Sequence, residues 1–295
     1  MKKVIATLAV VLTSTFVFAQ DTPLEISGSA DAYWKYDFAK TANIPTSFAT
    51  DHNSVSLGMI DVVLKKKTGK TSFVGEVSFG PRGAGQSIPD VDGQSFHIQN
   101  LYATYAASDK LSLTAGYMGT FIGYEVISPL ANFHYSTSYL FTTGPFQNAG
   151  IKANYAVSSK VGLMVGLFND QWNTYKATPE FGLNAFGAQL TLTPAEGLTA
   201  YFNLLTGSES GTIVDLTAAY QVSPKFKLGL NAADFSGVES GSGYSGIALY
   251  PSVAISDSFG LGLRAESFKS KTLDTSVSAF TLSANLKSGG LTFIP

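Results

Sequence analysis

The 295-residue chain has no cysteine, so neither a disulfide framework nor a thiolate metal site is available to it. Charge is also scarce. Asp, Glu, Lys and Arg together make up 14% of the residues, against roughly 25% in soluble domains. The formal net charge is only −2, so no basic field invites nucleic acid. The three histidines, His52, His97 and His134, lie far apart without metal-ligand spacing, and no metal is expected. Beyond residue 19 there is no run of eighteen apolar residues, which excludes a spanning helix. The one GxGxxG match, at 241–246, is a Gly/Ser loop ahead of a strand pattern. Dinucleotide binding needs a strand before that motif and a helix after it. No motif singles out a serine nucleophile, so no cofactor and no catalysis are expected.

What the chain does have is alternation. Residues 212–235 read TIVDLTAAYQVSPKFKLGLNAADF. Val214, Leu216, Ala218, Tyr220 and Val222 alternate with Asp215, Thr217, Ala219 and Gln221. After the turn Ser223-Pro224-Lys225, Phe226, Leu228, Leu230 and Ala232 alternate with Lys227, Gly229, Asn231 and Ala233. A period of two is an extended strand with one apolar and one polar face. Two such strands about a short turn make a hairpin. Each runs for about 9–11 residues, the length a tilted strand needs to cross a bilayer.

The same unit fills most of the chain. Residues 24–38 put Leu24, Ile26, Ala30, Ala32, Trp34, Tyr36 and Phe38 on one face. Glu25, Asp31, Tyr33, Lys35 and Asp37 take the other. Aromatics gathered at one end of an apolar strip match the girdle of a membrane barrel. In the second strand Val62, Val63 and Leu64 break the alternation, which suggests a bulge there. Tyr117 is assigned to the outer face of the fifth strand. Short turns rich in Lys, Ser, Asp, Gly and Pro alternate with connections that are mostly longer, the sorting expected of periplasmic turns and external loops. The expected fold is all-β: a transmembrane antiparallel up-and-down β-barrel. Fifteen strands can be counted, the last only begun at Pro295. Bacterial barrels have even counts, so about sixteen are expected, with the C-terminal strand missing here.

The first nineteen residues differ from the rest. Lys2 and Lys3 precede an apolar stretch from Val4 to Leu12, and Val17-Phe18-Ala19 supplies a small-residue cleavage site. This is a secretory signal peptide cleaved after Ala19, leaving 20–295 as the barrel. Without Lys2 and Lys3, 17 basic residues face 21 acidic ones, a net of −4.

The longest irregular connection spans about 119–148. It is aromatic-rich, and Glu125 is its only acid. Connections this long are commonly functional. We expect it to fold into the lumen and narrow it, with Gly123, Tyr124 and Glu125 at the constriction. By parity the lumen-facing charges include Glu25, Asp31, Lys35, Asp37, Glu76, Lys152, Asp215, Lys227, Arg264 and Glu266. Both signs occur, so no ring of one charge forms a strong ion filter. Their slight acidic lean predicts weak cation preference.

The segment Gly116…Phe121-Ile122-Gly123-Tyr124-Glu125, followed by Ser136…Leu140-Phe141…Gly144-Pro145…Gly150, resembles the OmpL-like β-barrel porin family of Gram-negative outer membranes. Where that family carries a basic residue after the first glycine, this chain has Tyr117. The resemblance implies passive diffusion of small hydrophilic solutes and names no particular one. The expected surroundings are outer-membrane lipid and such solutes, with homo-oligomerisation left open. The alternatives are a non-transporting barrel acting as adhesin or scaffold, a barrel enzyme, and a soluble β-sandwich.

Overall fold

A computed structural model describes residues 22–40, 46–82 and 98–295. The expected leader and its cleavage point after Ala19 lie outside these, as does His97. The described strands are β1 (Glu25–Lys35), β2 (Ser54–Thr68), β3 (Thr71–Phe79), β4 (Ile98–Ala106), β5 (Leu111–Gly119), β6 (Gln147–Ala156), β7 (Val161–Phe168) and β8 (Ala185–Ala195). They continue with β9 (Leu198–Gly207), β10 (Gly211–Gln221), β11 (Phe226–Ser236), β12 (Gly243–Ser256), β13 (Phe259–Ser270), β14 (Thr275–Ser288) and β15 (Leu291–Phe293). All fifteen join one sheet in chain order, each antiparallel to the next. Local hairpins thus satisfy the backbone without a crossover, the arrangement a bilayer demands.

The alternation decides what each face meets. Phe280 and Leu282 are 76% and 74% exposed, and Val214 is 56% exposed. Their polar neighbours are buried: Asp215 is 2% exposed and Arg264 is 4% exposed. This reverses the water-soluble pattern, in which the apolar face hides. A sheet with apolar residues out and polar residues in fits a lipid exterior. Leu228 and Leu263 stand on the exposed face, as parity predicts.

Aromatics mark both rims of the exposed face. Trp34 near the end of β1 and Tyr36 and Phe38 just beyond it stand exposed, their rings in succession at 6.2 and 5.3 Å. Phe79 and Phe186 join them at the long-loop ends of β3 and β8. At the short-turn ends, Phe73, Tyr105, Tyr155, Tyr220 and Phe226 form a second belt. Tyrosine and tryptophan settle where one end of the ring is apolar and the other wet, so two belts bracket the lipid-facing band.

Two local expectations change. The bulge in β2 lies at Gly58-Met59, opposite Asp31, because Ala30 pairs with Ile60 and Ala32 with Leu57. The extra residue flips parity there, so Val55 and Leu57 point outward before it and Ile60, Val62 and Leu64 after it. Val63 is therefore an apolar residue of the inner wall, in register with Glu76. Tyr117 keeps its outward parity beside Leu101, but it is buried under Tyr175 from the connection 169–184, ring centroids 4.9 Å apart. The GxGxxG run opens β12 at Gly243, so a strand and no helix follows it.

The connections β2–β3, β4–β5, β6–β7, β8–β9, β10–β11, β12–β13 and β14–β15 are all short turns. At the opposite end the connections 36–53, 80–97, 120–146 and 169–184 are long, and those at 208–210, 237–242 and 271–274 are short. The loop ends are thus asymmetric around the sheet, heavy over its first half.

The native chain lacks cysteine, so single cysteines report cleanly on each face. In lipid vesicles Lys227→Cys should react with a membrane-impermeant thiol reagent. Leu228→Cys should instead be quenched by nitroxide-labelled acyl chains. The reverse pattern would overturn the orientation.

Candidate functional site

The connection 120–146 does not stay at the rim. It contains a short 3-10 turn (Pro129–Ala131) and a five-residue helix α1 (Tyr139–Thr143). Its anchors are the inward polar side chains of distant strands. The Gly123 N–H donates to Asp215 of β10 at 3.1 Å. Asp215 is itself held by Asn203 of β9 at 2.7 Å and Asn231 of β11 at 2.5 Å. The Tyr124 ring stacks on Tyr250 of β12 at 4.5 Å.

Next comes the central pair. Arg264 of β13 donates to Glu125 at 2.9 Å, and both are almost wholly buried. The guanidinium also donates to the carbonyls of Ser136 and Thr137 at 2.6 and 3.0 Å, and to Thr281 of β14 at 3.1 Å. The other oxygen of Glu125 accepts the Ser138 N–H at 2.8 Å, and Ser138 caps α1 by accepting from the Phe141 N–H. Glu266, two residues along β13 on the same face, accepts the N–H groups of Tyr139 and Leu140 at 3.0 and 2.9 Å. These are the otherwise orphaned donors at the start of the helix. A buried ion pair is retained cheaply only when its remaining donors and acceptors are satisfied, and these largely are.

The two edges of the sheet converge on this connection. His134 meets Ser283 of β14 at 2.9 Å, and the next residue, Tyr135, donates to Asp31 of β1 at 2.5 Å. Strands 1 and 14 therefore both lie within reach of two adjacent residues, which requires the sheet to curl round. Arg82 adds a second tether, donating to the Ile127 carbonyl at 3.1 Å with its guanidinium over the Tyr135 and Phe48 rings. The rim is locked separately. Asp170, fully buried, accepts from Ser208 Oγ, the Glu209 N–H, and both the N–H and Oγ of Ser210. Burial alone would raise its carboxyl, yet these bonds hold it below the ordinary value.

Placed on this frame, the expected site residues divide. Gly123, Tyr124 and Glu125 are together on the connection, with Glu125 turned into its ion pair. Asp31, Asp215, Arg264 and Glu266 all bond to the connection. Lys35 donates to the Thr50 carbonyl at 3.0 Å and so tethers the first loop. Glu76 accepts from Asn100 at 2.6 Å. Glu25 pairs in register with Lys65, Lys152 with Thr114, and Lys227 with Gln221. Asp37 is buried and accepts the Ala39 N–H. Asp170, Arg82 and His134 were not expected in any role. The serine hydroxyl donors of the run Ser208-Glu209-Ser210 were the one hint of the first.

The family profile described as "Putative beta-barrel porin-2, OmpL-like" matches residues 23–295. The chain belongs to this family. It is an outer-membrane porin. Among solved structures, a triple mutant of Rh. blastica porin superposes with TM-score 0.56 at 15% identity, over 90% of each chain. A structure described as "Asymmetric conductivity of engineered proteins" gives 0.58 at 15% identity, over 90% of this chain and 91% of that one. The anion-selective porin from Comamonas acidovorans gives 0.58 at 13% identity, over 92% and 86%. At such identities the likeness is one of fold, and that fold is the up-and-down β-barrel. Among curated proteins, none matches the sequence. Family and fold alike are those of channels.

Two tests bear on the porin's anchored connection. Arg264→Ala strands the buried Glu125 carboxylate, which should cost about 3–5 kcal/mol. The expected readout is a lower Tm and new protease cleavage within 120–146. The second concerns His134, whose imidazole is pushed down to about 4 by burial and by the nearby Arg264 charge. Such a ring is neutral while anchored and gains a proton on release. The anchor should therefore be at full strength above about pH 6.5 and weaken as pH falls towards 4. Hydrogen exchange in 120–146 should rise across that window, and His134→Asn should flatten the rise.

Proposed function

We propose that small hydrophilic solutes diffuse passively through this barrel past the anchored connection 120–146, which narrows the lumen, with Gly123, Tyr124 and Glu125 in its innermost turn. The supporting observation is the set of anchors, since the connection is bonded to inward side chains of β1, β10, β13 and β14. A loop held this way takes up cross-section that solutes would otherwise use. In this reading Glu125 is the fastening, and Gly123 and Tyr124 face the space that remains. Outer-membrane lipid covers the exposed apolar band, and a leader ending at Ala19 delivers the chain to the periplasm. A homo-oligomer is compatible with the exposed face.

Ion preference should be slight. The solved Comamonas porin is anion-selective. Here the parity flip in β2 turns Asp61, Lys65 and Lys67 inward, and the register of β14 adds Lys287. These lysines cancel the acidic lean counted from the other strands, so neither sign dominates and no single-charge ring forms among the described residues.

Planar-bilayer recording tests both parts. Deleting residues 123–132 should raise single-channel conductance, and an unchanged value would reject the narrowing role. Under a salt gradient the reversal potential should stay near zero, and a strong preference for either ion would reject the balanced lumen.

A further inference from the structure

One recess of the inner wall is bordered without charge. Gln189 of β8, Tyr201 of β9 and Thr217 of β10 share the inward face, with Tyr201 and Thr217 in register. Tyr201 and Thr217 lie one step nearer the short turns than the Asn203–Asp215 contact. Across from them are Thr120, Phe121, Gly123 and Tyr124 of the connection, and together they line an open recess of about 270 Å³. Three of its walls are aromatic rings. The hydroxyls of Tyr124, Tyr201 and Thr217 and the amide oxygen of Gln189 have no hydrogen-bond partner among the described residues. The Gln189 nitrogen is fixed by Asn203 at 2.8 Å, so its oxygen is presented in a set orientation.

The neighbouring charges are spent. Glu125 is neutralised by Arg264, and Asp215 is occupied by Asn203, Asn231 and the Gly123 N–H. Burial and the adjacent Glu125 push the Tyr124 phenol up to about 12, so it remains a neutral hydroxyl at any working pH.

Resting on the porin reading, we propose that this recess is a binding subsite for a neutral polyhydroxylated ring, the size of one sugar unit, on the diffusion path. Aromatic faces cover the C–H side of such a ring, while the unpartnered hydroxyls and amide exchange hydrogen bonds with its rim. Ions gain nothing there, because no unpaired charge replaces their hydration.

The test is sucrose block of KCl current through the full-length protein in planar bilayers. Sucrose should block saturably, whereas poly(ethylene glycol) of equal hydrodynamic radius should not. Tyr201→Ala and Gln189→Ala should each raise the half-blocking concentration by about tenfold, the loss of one hydrogen bond or ring face, without lowering sugar-free conductance. Tyr201→Phe keeps the ring and should fall between. If Tyr201→Ala does not insert, Thr217→Val and Gln189→Ala carry the same test. An intact protein without conductance would sink the porin reading itself. A conducting protein blocked equally by sucrose and the polymer, or insensitive to these variants, would overturn the subsite. Saturable block by choline in preference to sucrose would overturn the neutral class of ligand.

Discussion

The whole structure depends on backbone pairing in a solvent that offers no hydrogen bonds. Within lipid, every strand must find partners on both sides, and the side chains of each strand must then divide between lipid and lumen. Once that division is set, a polar residue on the inner face has no bulk membrane to fear but also no guarantee of free water. In this chain many such residues gave up water for protein. Asp215, Arg264 and Glu266 are buried because 120–146 lies against them. The barrel's polar interior therefore serves first as a surface on which a connection can fold.

That explains the pairing of signs. Backbone N–H groups on the connection meet wall carboxylates, and the connection's only acid meets a wall arginine. A connection without this complementarity would stay at the rim, because ordering about two dozen residues costs conformational entropy that weak contacts would not offset. The glycine at 123 has a positive φ of 88°, which lets the chain turn so that its N–H reaches Asp215 and the next ring reaches Tyr250.

The strand pattern was legible because period two is a local property. From Gly28 through Phe38 the exposed and sheltered residues alternate as read, while Glu25 to Ser27 at the start of β1 are all exposed. Parity fails only where a residue is inserted, and the run Val62-Val63-Leu64 disguised where that was. The bulge was visible only in the pairing of Asp31 with Gly58-Met59. The anchors were less legible. That Asp215, Arg264 and Glu266 point inward follows from parity, but what they meet depends on how the sheet curls, which no local pattern encodes. His134 and Tyr135 carry no signal in sequence because their partners sit on β14 and β1. The second aromatic belt was latent in Phe73, Tyr105, Tyr155, Tyr220 and Phe226, residues at the turn ends of separate hairpins except for the last two, which flank one turn.

The anchors also divide the lumen by chemistry. Along β10 to β14 the connection engages Asp215, Arg264 and Glu266, so the recess bordered by β8, β9 and β10 is lined by hydroxyls, an amide and rings. Along β2 to β6 the inner face keeps Asp61, Glu76 and Lys152, none of them bonded to the connection. In the proposed reading a neutral solute finds complementarity on the first surface, and the second is left to ions. A loop fastened by one ion pair and several N–H-to-carboxylate bonds thus takes up the charges of Asp215, Arg264 and Glu266 on that side. On the proposed narrowing role, the same contacts decide which part of the wall a solute can recognise.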